Sequence, residues 1–388
     1  MKIIVHRGTH QIGGCCTEIS TDRARILIDY GMSLPGGDSE HLRILMDEKS
    51  DTQKTTAVLI SHYHGDHVGE IGFVPEHIPV YMGTVAKQLL MLYKQHQPHS
   101  YQYLNPDSIV EFGEDSFTIG DISVTPIPSD HSAFDSYMFL IEGDGKRVLH
   151  TGDYRLHGPH REKLMERLAA CCKNVDMLIT EGTTLSRSGS DGYTEEDVER
   201  EVRRRSGQYK YCFVLCSSGN IDRIAAVGNS VVRGRYFLMD AFQKSLLELV
   251  KAENKEYASC FQKALSYGTN LAEKAEERGF TMLVRANASF EKIVKYYAGK
   301  YPGDVCLVYS MWHGYREHEP IARLCSLVGD YYTAHSSGHV SIDDMNRLIN
   351  MLLPDRVLFI HTDSEHPGEG IDRKDRIIHI KDGQEYTL

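Results

Sequence analysis

The feature that most constrains this chain is a run of histidines and one aspartate directly after an apolar segment. Residues 61–69 read SHYHGDHVG and follow the run TAVLI, which is typical of a buried strand. Neutral imidazole and carboxylate are natural ligands for Zn²⁺. His62 and His64 alternate along extended backbone and point the same way, whereas Asp66 and His67 lie beyond the next turn. The pattern therefore predicts ligands for two metal ions on one strand-to-helix loop.

Four side chains cannot fully surround two ions, so further ligands are expected downstream. His131, Asp153 and His361 each follow a predicted strand, and α/β proteins commonly place ligands at the carboxyl ends of strands. Two adjacent metal ions form the clamp that is used for phosphoester hydrolysis. The predicted metal ligands are His62, His64, Asp66, His67, His131, Asp153 and His361.

Charge and composition limit the class of protein. The chain of 388 residues has 43 basic and 54 acidic side chains, a net charge of −11, which excludes a uniformly basic nucleic-acid coat but not a basic groove. No apolar run is long enough for a signal peptide or a membrane helix. The nine cysteines are scattered without a CxxC pair, which favours reduced thiols over a secreted disulfide framework. The expected location is the cytoplasm, with no membrane partner.

Strand and helix patterns change character along the chain. The first 185 residues read as short strands bounded by Gly, Asp or Pro, with helices predicted at 84–95 and 160–171. This mixture of many strands and interspersed helices favours a layered α/β arrangement rather than a strict alternation of strand and helix. After residue 188 come units of a strand, a turn and a helix. The predicted strands of the first part are residues 2–6, 24–29, 56–61, 79–82, 116–119, 121–127, 137–142, 146–150 and 175–180.

The order of these motifs resembles the metallo-β-lactamase fold. The HxHxDH run, His131, Asp153 and a late histidine occur in the order that this fold uses. Asp29, within LIDYG, matches an early aspartate of the fold, and the resemblance implies that it orients a metal ligand by hydrogen bonding. The resemblance also implies a four-layer αββα sandwich.

The second part of the chain is similar to the β-CASP nucleases, and to ribonuclease J proteins among them. Glu181 in TEGT, His339 in HSSGH and His361 resemble three β-CASP signatures. CSSGNIDRI, which begins at Cys216, is similar to the loop that opens the insert in ribonuclease J proteins. The resemblance implies a metallo-β-lactamase domain formed by residues 1–187 and 311–388. An inserted α/β β-CASP domain would occupy residues 188–310.

By this resemblance, the chain is a dinuclear metal-dependent ribonuclease. The resemblance implies that Asp153 is a ligand shared by the two metal ions. A hydroxide that bridges these ions would attack the phosphorus atom of the substrate. The catalytic groups implied are Asp66, His339, which would protonate the leaving oxygen, and Glu181, which would orient His339. Zn²⁺ is the expected metal and Mn²⁺ the alternative, because imidazole and carboxylate suit both. The expected substrate is single-stranded RNA in a cleft between the domains, cut internally or from the 5′ end.

Two serine-containing loops are candidate phosphate contacts, because each precedes a predicted helix whose backbone N–H groups can bind an anion. Ordinary helix capping by Ser and Asn is the competing interpretation. The candidate residues are Ser217, Ser218, Gly219, Asn220, Ser336, Ser337 and Gly338. The chain departs from ribonuclease J proteins at several points. No additional C-terminal dimerisation domain is seen, and His361 is followed by Thr-Asp rather than Gly-Glu. The insert is short, and residues 281–300 lack the usual glycine-rich segment. The oligomeric state and the exonuclease mode therefore stay open.

Three alternatives remain from the sequence. A DNA nuclease of the same superfamily is disfavoured by His361, because the DNA branch tends to carry an apolar residue there. A small-molecule metallo-hydrolase generally lacks an insert of this size. A non-catalytic nucleic-acid-binding protein usually loses ligands, whereas all seven candidates are present here.

Overall fold

The computed structural model describes residues 1–34, 37, 40–44, 54–97, 104–105, 108–187 and 193–388. It divides the chain into two compact units. One unit comprises Met1–Ser190 and Gly338–Leu388, and the other comprises Asp191–Ser337. The predicted start of the insert at residue 188 lies outside the described residues.

The first unit contains two seven-stranded sheets. In sheet order, the strands of the first are β20 (Glu385–Thr387), β1 (Lys2–Arg7), β2 (Cys16–Ser20), β3 (Ala24–Ile28), β4 (Thr55–Leu59), β5 (Val80–Gly83) and β6 (Ile109–Phe112). The strands of the second are β19 (Ile377–Ile378), β18 (Arg356–Ile360), β11 (Met177–Glu181), β10 (Lys146–His150), β9 (Tyr137–Gly143), β8 (Ile122–Pro128) and β7 (Phe117–Ile119). Both sheets mix parallel and antiparallel neighbours.

Strand direction in the second sheet explains where its functional loops fall. β10, β11 and β18 are parallel neighbours, and β8 runs in the same direction because β9 is antiparallel to both β8 and β10. The carboxyl ends of these four strands therefore lie along one edge of the sheet. The loops that begin there carry the predicted ligands of the second sheet.

One apolar core lies between the two sheets and another lies under two helices. Ile19 and Ile26 of the first sheet pack with Phe139 and Ile179 of the second. On the other face of the second sheet, Leu149 packs with residues of α3 (Arg161–Cys171) and α11 (Ile342–Leu352). The helix α2 (Thr84–His96) contacts β5 and β6, and its buried side chains do not belong to the core between the sheets. The four layers are therefore α, β, β and α, as the sequence predicts. The described residues of this unit also include the short helix α1 (Gly65–Val68).

The second unit is a parallel sheet with helices on its faces. The described strands, in sheet order, are β14 (Ala264–Ser266), β13 (Tyr236–Met239), β15 (Phe280–Val284), β12 (Tyr211–Leu215), β16 (Val305–Tyr309) and β17 (Asp330–Thr333). Its helices are α4 (Glu195–Gln208), α5 (Ile221–Ser230), α6 (Ala241–Glu253), α7 (Ala258–Phe261), α8 (Thr269–Arg278), α9 (Ala288–Lys300) and α10 (Glu319–Cys325). Every residue of β12 is buried, as expected for a central parallel strand. This unit has the α/β character that the sequence predicts for the insert.

The second unit extends further along the chain than the predicted boundary at residue 310. β17 pairs with β16 in the same parallel sheet, so the residues between them remain with this unit. The chain returns to the first unit at Gly338 rather than at residue 311. A sequence pattern ending at a single strand could not reveal this pairing.

The structure also describes the cysteines and the length and polarity of the helices. All nine cysteines carry free thiols. Among the helices that the structure describes, none is long and apolar enough to cross a membrane.

Candidate metal centre

All seven predicted metal ligands belong to the first unit, and the structure brings them together. After β4, a loop carries His62 and His64 and the short helix α1 carries Asp66 and His67. The loops or turns after β8, β10 and β18 carry His131, Asp153 and His361. His62, His67, His131, Asp153 and His361 are each no more than 5% exposed. A buried cluster of this composition needs compensating contacts, because unpaired polar groups are costly to remove from water.

One half of the cluster consists of three imidazoles. Nε2 of His62 lies 3.1 Å from Nδ1 of His64, and Nε2 of His131 lies 3.3 Å from the same nitrogen. Two nitrogens bound at about 2.0–2.1 Å to one tetrahedral ion lie about 3.3–3.4 Å apart. The spacing of the three rings therefore fits a shared ion. The predicted common orientation of His62 and His64 agrees with this contact.

The other half contains Asp66, His67 and His361. Oδ2 of Asp66 lies 3.2 Å from Nε2 of His361 and 3.9 Å from Nε2 of His67. Nδ1 of His361 is hydrogen-bonded to Oγ1 of Thr183 at 2.7 Å, so Nε2 is the nitrogen that faces the cluster. Nε2 of His67 is buried and has no hydrogen-bond partner among the described residues.

Asp153 lies beside both halves. Its Oδ2 is 3.3 Å from Nε2 of His67, 3.9 Å from Nε2 of His62 and 4.0 Å from Nε2 of His131. Its Oδ1 is buried and has no hydrogen-bond partner in the described part of the chain. A carboxylate in this position can serve ions in both halves.

The ligand loop is held by Asp29 and by close backbone contacts. Asp29 accepts hydrogen bonds from the backbone N–H and hydroxyl of Ser61, and its Oδ2 lies 2.8 Å from Nδ1 of His67. The expected hydrogen bond between Asp29 and a cluster histidine is thus present, with Nδ1 of His67 donating to Oδ2 of Asp29. A Cβ atom at Gly31 would lie 1.7 Å from the backbone oxygen of Asp66, so only glycine fits there. Asp29 and His361 both have positive φ, 64° and 52°, which is costly for residues other than glycine and recurs at functional sites.

The electrostatics of three imidazoles and two carboxylates suit cation binding, whereas at His67 the charges of Asp153, Asp29 and Asp66 outweigh burial and raise the pKa. Burial lowers the pKa of His62, His64 and His131, that of His64 to about 4, so their rings are neutral at neutral pH. Burial opposes ionisation of Asp66 and Asp153, but the positive charge of neighbouring histidines holds the pKa of both carboxyl groups below the usual range. Neutral imidazoles and ionised carboxylates are the forms that bind divalent metal ions.

Glu181 and His339 form a pair beside Asp153. Oε2 of Glu181 lies 2.9 Å from Nδ1 of His339, and Oε1 of Glu181 accepts the backbone N–H of Tyr154 at 2.8 Å. Nδ1 of His339 is 3.7 Å from Oδ2 of Asp153. Burial lowers the pKa of His339, but the Glu181 charge outweighs it and the net shift is upward.

The residues of the two serine-containing loops make different contacts in the structure. The side chain of Asn220 caps α5 by accepting the N–H of Arg223, which is the ordinary capping role. Oγ of Ser218 and Oγ of Ser336 are buried without a hydrogen-bond partner within the described residues. The N–H of Gly219 donates to Oγ of Ser217 at 3.4 Å, a contact within the loop itself.

Gly338, the last member of the second loop, faces the metal cluster through its backbone. Its carbonyl lies 2.6 Å from Nδ1 of His131, which leaves Nε2 of that ring toward His64. A Cβ atom at Gly338 would lie 2.7 Å from Oγ of Ser132. Ser337, the residue before it, ends the second unit, to which Ser217–Asn220 also belong by sequence.

Sequence reasoning missed Cys15 and Thr183 as neighbours of the cluster. Cys15 forms a group with His67 and His361 in which one donor atom of each lies within 4.8 Å of the others. Burial and the nearby carboxylates of Asp153 and Asp29 raise the pKa of the Cys15 thiol. The only sequence signal was the position of Cys15 in the glycine-rich run GGCC before a strand, which by itself does not indicate a ligand.

The donor set fits two divalent metal ions. The buried, unpartnered Nε2 of His67 and Oδ1 of Asp153 are the atoms that an ion would satisfy, as judged from the described residues. His62, His64 and His131 would hold one ion, Asp66, His67 and His361 the other, and Asp153 adjoins both. Ligand type alone does not separate Zn²⁺ from Mn²⁺ in this set.

Comparison with known proteins gives a family match for part of the chain. The sequence model of the Beta-lactamase superfamily domain matches residues 24–195. A crystal structure of a protein of unknown function from Enterococcus faecalis V583 superposes with a TM-score of 0.78 at 20% identity, covering 100% of this chain and 99% of that one. That likeness shows a shared fold.

Curated relatives carry the name ribonuclease J. The protein from Thermus thermophilus is 25% identical over 94% of this chain and 69% of its own length. The protein from Helicobacter pylori is 28% identical over 49% of this chain, and the match spans 29% of that protein. An RNase J-like protein from Methanocaldococcus jannaschii is 29% identical over 46% of this chain and 41% of its own length. Residues 24–195 therefore match the Beta-lactamase superfamily domain, and the chain is similar to ribonuclease J proteins.

Proposed function

We propose that this chain is a dinuclear metal-dependent ribonuclease that hydrolyses phosphodiester bonds of single-stranded RNA. The observation that carries the proposal is the convergence of seven buried or nearly buried imidazole and carboxylate ligands beside the Glu181–His339 pair. The similarity to proteins named ribonuclease J supports RNA as the substrate class. Bound divalent cations supply Lewis acidity, which neutralises charge on a phosphoryl group and lowers the pKa of water.

His339 is the group that we expect to move a proton. Glu181 has both carboxylate oxygens engaged, one by His339 and one by the N–H of Tyr154, so it serves to position His339 rather than to bind substrate. The negative charge beside Nδ1 favours a protonated ring, which can donate through Nε2 to a leaving oxygen. Asp66 is expected to act as a metal ligand that is essential for cleavage.

Ser218 and Ser336 are the loop members that we expect to contact RNA phosphate once their loops expose the hydroxyl oxygens. Their hydroxyl oxygens are buried and lack partners among the described residues, whereas Asn220 caps a helix and Gly338 orients His131. Arg223 stabilises the second unit around Ser336, because it pairs with Glu195 at 2.7 Å and donates to the Ser336 carbonyl at 2.9 Å. The two hydroxyls would add hydrogen bonds to a phosphate without adding charge.

A cleavage assay tests the proposal. Single-stranded RNA and matched DNA would be offered as 5′-monophosphate, 5′-triphosphate and circular molecules, with Zn²⁺, Mn²⁺ or chelator. We expect RNA cleavage that requires metal. Cleavage of the circle would indicate an endonuclease, and preference for the 5′-monophosphate would indicate an end-binding pocket.

Two variants make the assay specific. Asp66→Ala removes a cluster carboxylate and should abolish cleavage, whereas Asp355→Ala changes an aspartate that is 72% exposed and should leave it intact. Protein that holds two metal ions per chain but cleaves neither RNA nor DNA would contradict the proposal. Cleavage of DNA without cleavage of RNA would instead indicate a DNA nuclease of the same superfamily.

A further inference from the structure

Cys15 is a buried thiol at the edge of the candidate metal centre. Its side chain is 2% exposed, and its Sγ belongs to a group with donor atoms of His67 and His361 that all lie within 4.8 Å of one another. Since Nδ1 of His67 is taken by Asp29, Nε2 is the nitrogen left for the cluster, and it is buried without a partner in the described structure. The thiol therefore belongs to the same group of potential donors as this imidazole.

The backbone ties Cys15 to the ligand loop on both sides. Its N–H donates to the backbone oxygen of Asp66 at 3.0 Å, and its carbonyl accepts the N–H of Gly31 at 3.1 Å. The chain enters this position through Gly13 and Gly14, whose φ angles of 83° and 68° favour glycine. Cys15 is thus held at the cluster by contacts independent of its side chain.

We propose that Cys15 is an additional ligand, as a thiolate, of the metal ion that Asp66, His67 and His361 hold. This inference rests on the dinuclear centre of the proposed function. Binding forms a sulfur–metal bond in place of the S–H bond, and the proton leaves to solvent without any change of oxidation state. A sulfur donor changes which metal the position prefers.

The consequence is selectivity for a borderline or soft cation. Thiolate ligands favour Zn²⁺ and Co²⁺, whereas oxygen-rich sites suit Mn²⁺ and Mg²⁺. The ion at this position is therefore expected to be Zn²⁺ rather than Mn²⁺, which the imidazole and carboxylate ligands alone leave undecided.

Cys16 provides a matched control next to Cys15. It is equally buried, with 0% exposure, and begins β2. Among the described residues, the groups of side chains that could hold a metal ion include Cys15 but not Cys16. Replacing either cysteine alters the same segment, but only one change removes a donor from the cluster.

Cobalt substitution tests the proposal with a spectroscopic readout. Metal-free protein would be loaded with Co²⁺, and the metal content and absorption spectrum measured. We expect a near-ultraviolet thiolate-to-cobalt charge-transfer band in the unmodified chain and in Cys16→Ser. Cys15→Ser should lose this band while keeping the visible absorption of two bound Co²⁺ ions. Its affinity for Zn²⁺ at one position should fall by at least about 10-fold, the lower end of the loss seen for mere supporting contacts, with a smaller change for Mn²⁺.

The outcomes distinguish this inference from the proposed function. A chain that binds two Co²⁺ ions without the charge-transfer band would overturn the role of Cys15 and leave the dinuclear centre standing. A chain that binds no Co²⁺ would overturn both. A band that survives in Cys15→Ser would also overturn the assignment. Cys15→Ala, which avoids a buried hydroxyl, gives the same test if the serine variant does not fold.

Discussion

At the scale of single residues, the candidate centre divides between side chains that face the cluster and side chains that hold them. Asp29 holds His67, Thr183 holds His361, and the Gly338 carbonyl holds His131. Each contact engages Nδ1 and leaves Nε2 toward the cluster. Such supporting contacts fix ring orientation and tautomer, and their loss typically weakens metal binding.

His339→Ala should reduce RNA cleavage by about 10²–10⁴-fold, which is the usual contribution of a general acid or base. Metal content should stay at two ions per chain, because His339 is assigned to proton transfer rather than to metal binding. The measurement combines the cleavage rate with metal analysis of the same sample. His10→Ala, at a histidine that is 62% exposed, is the control. A loss of bound metal in His339→Ala would contradict the assigned role, since Asp153, Glu181, His339 and His361 also form a group of potential ligands.

Glu18→Gln should lower the stability of the first unit at pH 7 by about 1.5–3 kcal/mol, the usual value for hydrogen bonds to a charged group. Oε2 of Glu18 lies 2.8 Å from both Nη2 of Arg25 and Nε2 of His6. Burial opposes its ionisation, but these two partners outweigh burial and lower the pKa of Glu18. The ionised Glu18 therefore contributes its full stabilisation above the pKa of a glutamate in the unfolded chain, about 4.3. This stabilisation is lost as the pH falls through the lower pKa of Glu18 in the folded chain.

Urea unfolding at pH 7 and at several values below pH 4 would check this. The difference in the free energy of unfolding between the unmodified chain and Glu18→Gln should become smaller as the pH is lowered. Glu385→Gln, which removes an exposed pair with Lys2, should change stability by only about 0–1 kcal/mol. A difference for Glu18→Gln that is constant with pH would count against the ion pair as its cause.

At the scale of elements, α2 shows how a loop that is distant in sequence can cap the N-terminus of a helix. Gly83 precedes the helix and provides no side-chain cap. Instead, Oδ2 of Asp135 accepts the N–H groups of Val85 and Ala86, each at 2.8 Å. A Cβ atom at Gly83 would lie 2.5 Å from this oxygen, so glycine allows the approach. The loop after β8, which carries the predicted ligand His131, thus also anchors a helix of the outer layer.

Asp135→Ala should destabilise the first unit by about 0.5–2 kcal/mol, because it removes the cap from the first turn of α2. Asp135 has φ 60°, a conformation that asparagine tolerates and alanine does not. Asp135→Asn should therefore retain most of the stability. Thermal unfolding followed by circular dichroism would compare the three proteins. Equal loss in the alanine and asparagine variants would mean that the charge, rather than the cap geometry, stabilises the helix.

At the scale of the whole molecule, metal binding and folding of the first unit are expected to be linked. The cluster joins loops from both sheets of this unit, and its ligands are separated by up to 299 positions, from His62 to His361. An ion that binds only the folded cluster stabilises it by about 2.7 kcal/mol at a concentration of 100 Kd. Zn²⁺ should therefore raise Tm, by about 2–4 °C for each kcal/mol.

Calorimetry with Zn²⁺, and then with excess chelator, would measure this linkage. Chelator should return Tm to the metal-free value. Asp66→Ala should reduce the Zn²⁺-dependent rise, and Asp355→Ala should keep it, because only Asp66 belongs to the cluster. A rise of the same size in Asp66→Ala would place the stabilising ion elsewhere.

The sequence was most informative where the pattern is local. α2 and α3 begin and end within one residue of the helices predicted at 84–95 and 160–171. β2 and β6 were not among the predicted strands. β2 carries the buried Glu18, whose partners lie on neighbouring strands, so its polar composition does not resemble that of a core strand. The second unit likewise ends later than predicted because β17 pairs with β16.

The amino-acid sequence alone was sufficient to select the seven candidate ligands and the fold class, because each ligand type and its position after a strand are local properties. Contacts between distant parts of the chain determined the rest. Cys15 lies near His361, and the Gly338 carbonyl orients His131, only because the strand ends of this unit lie close together. Residues so far apart along the chain carry no mutual signal in a single sequence, and their proximity follows from sheet topology and from glycines that permit close backbone approach.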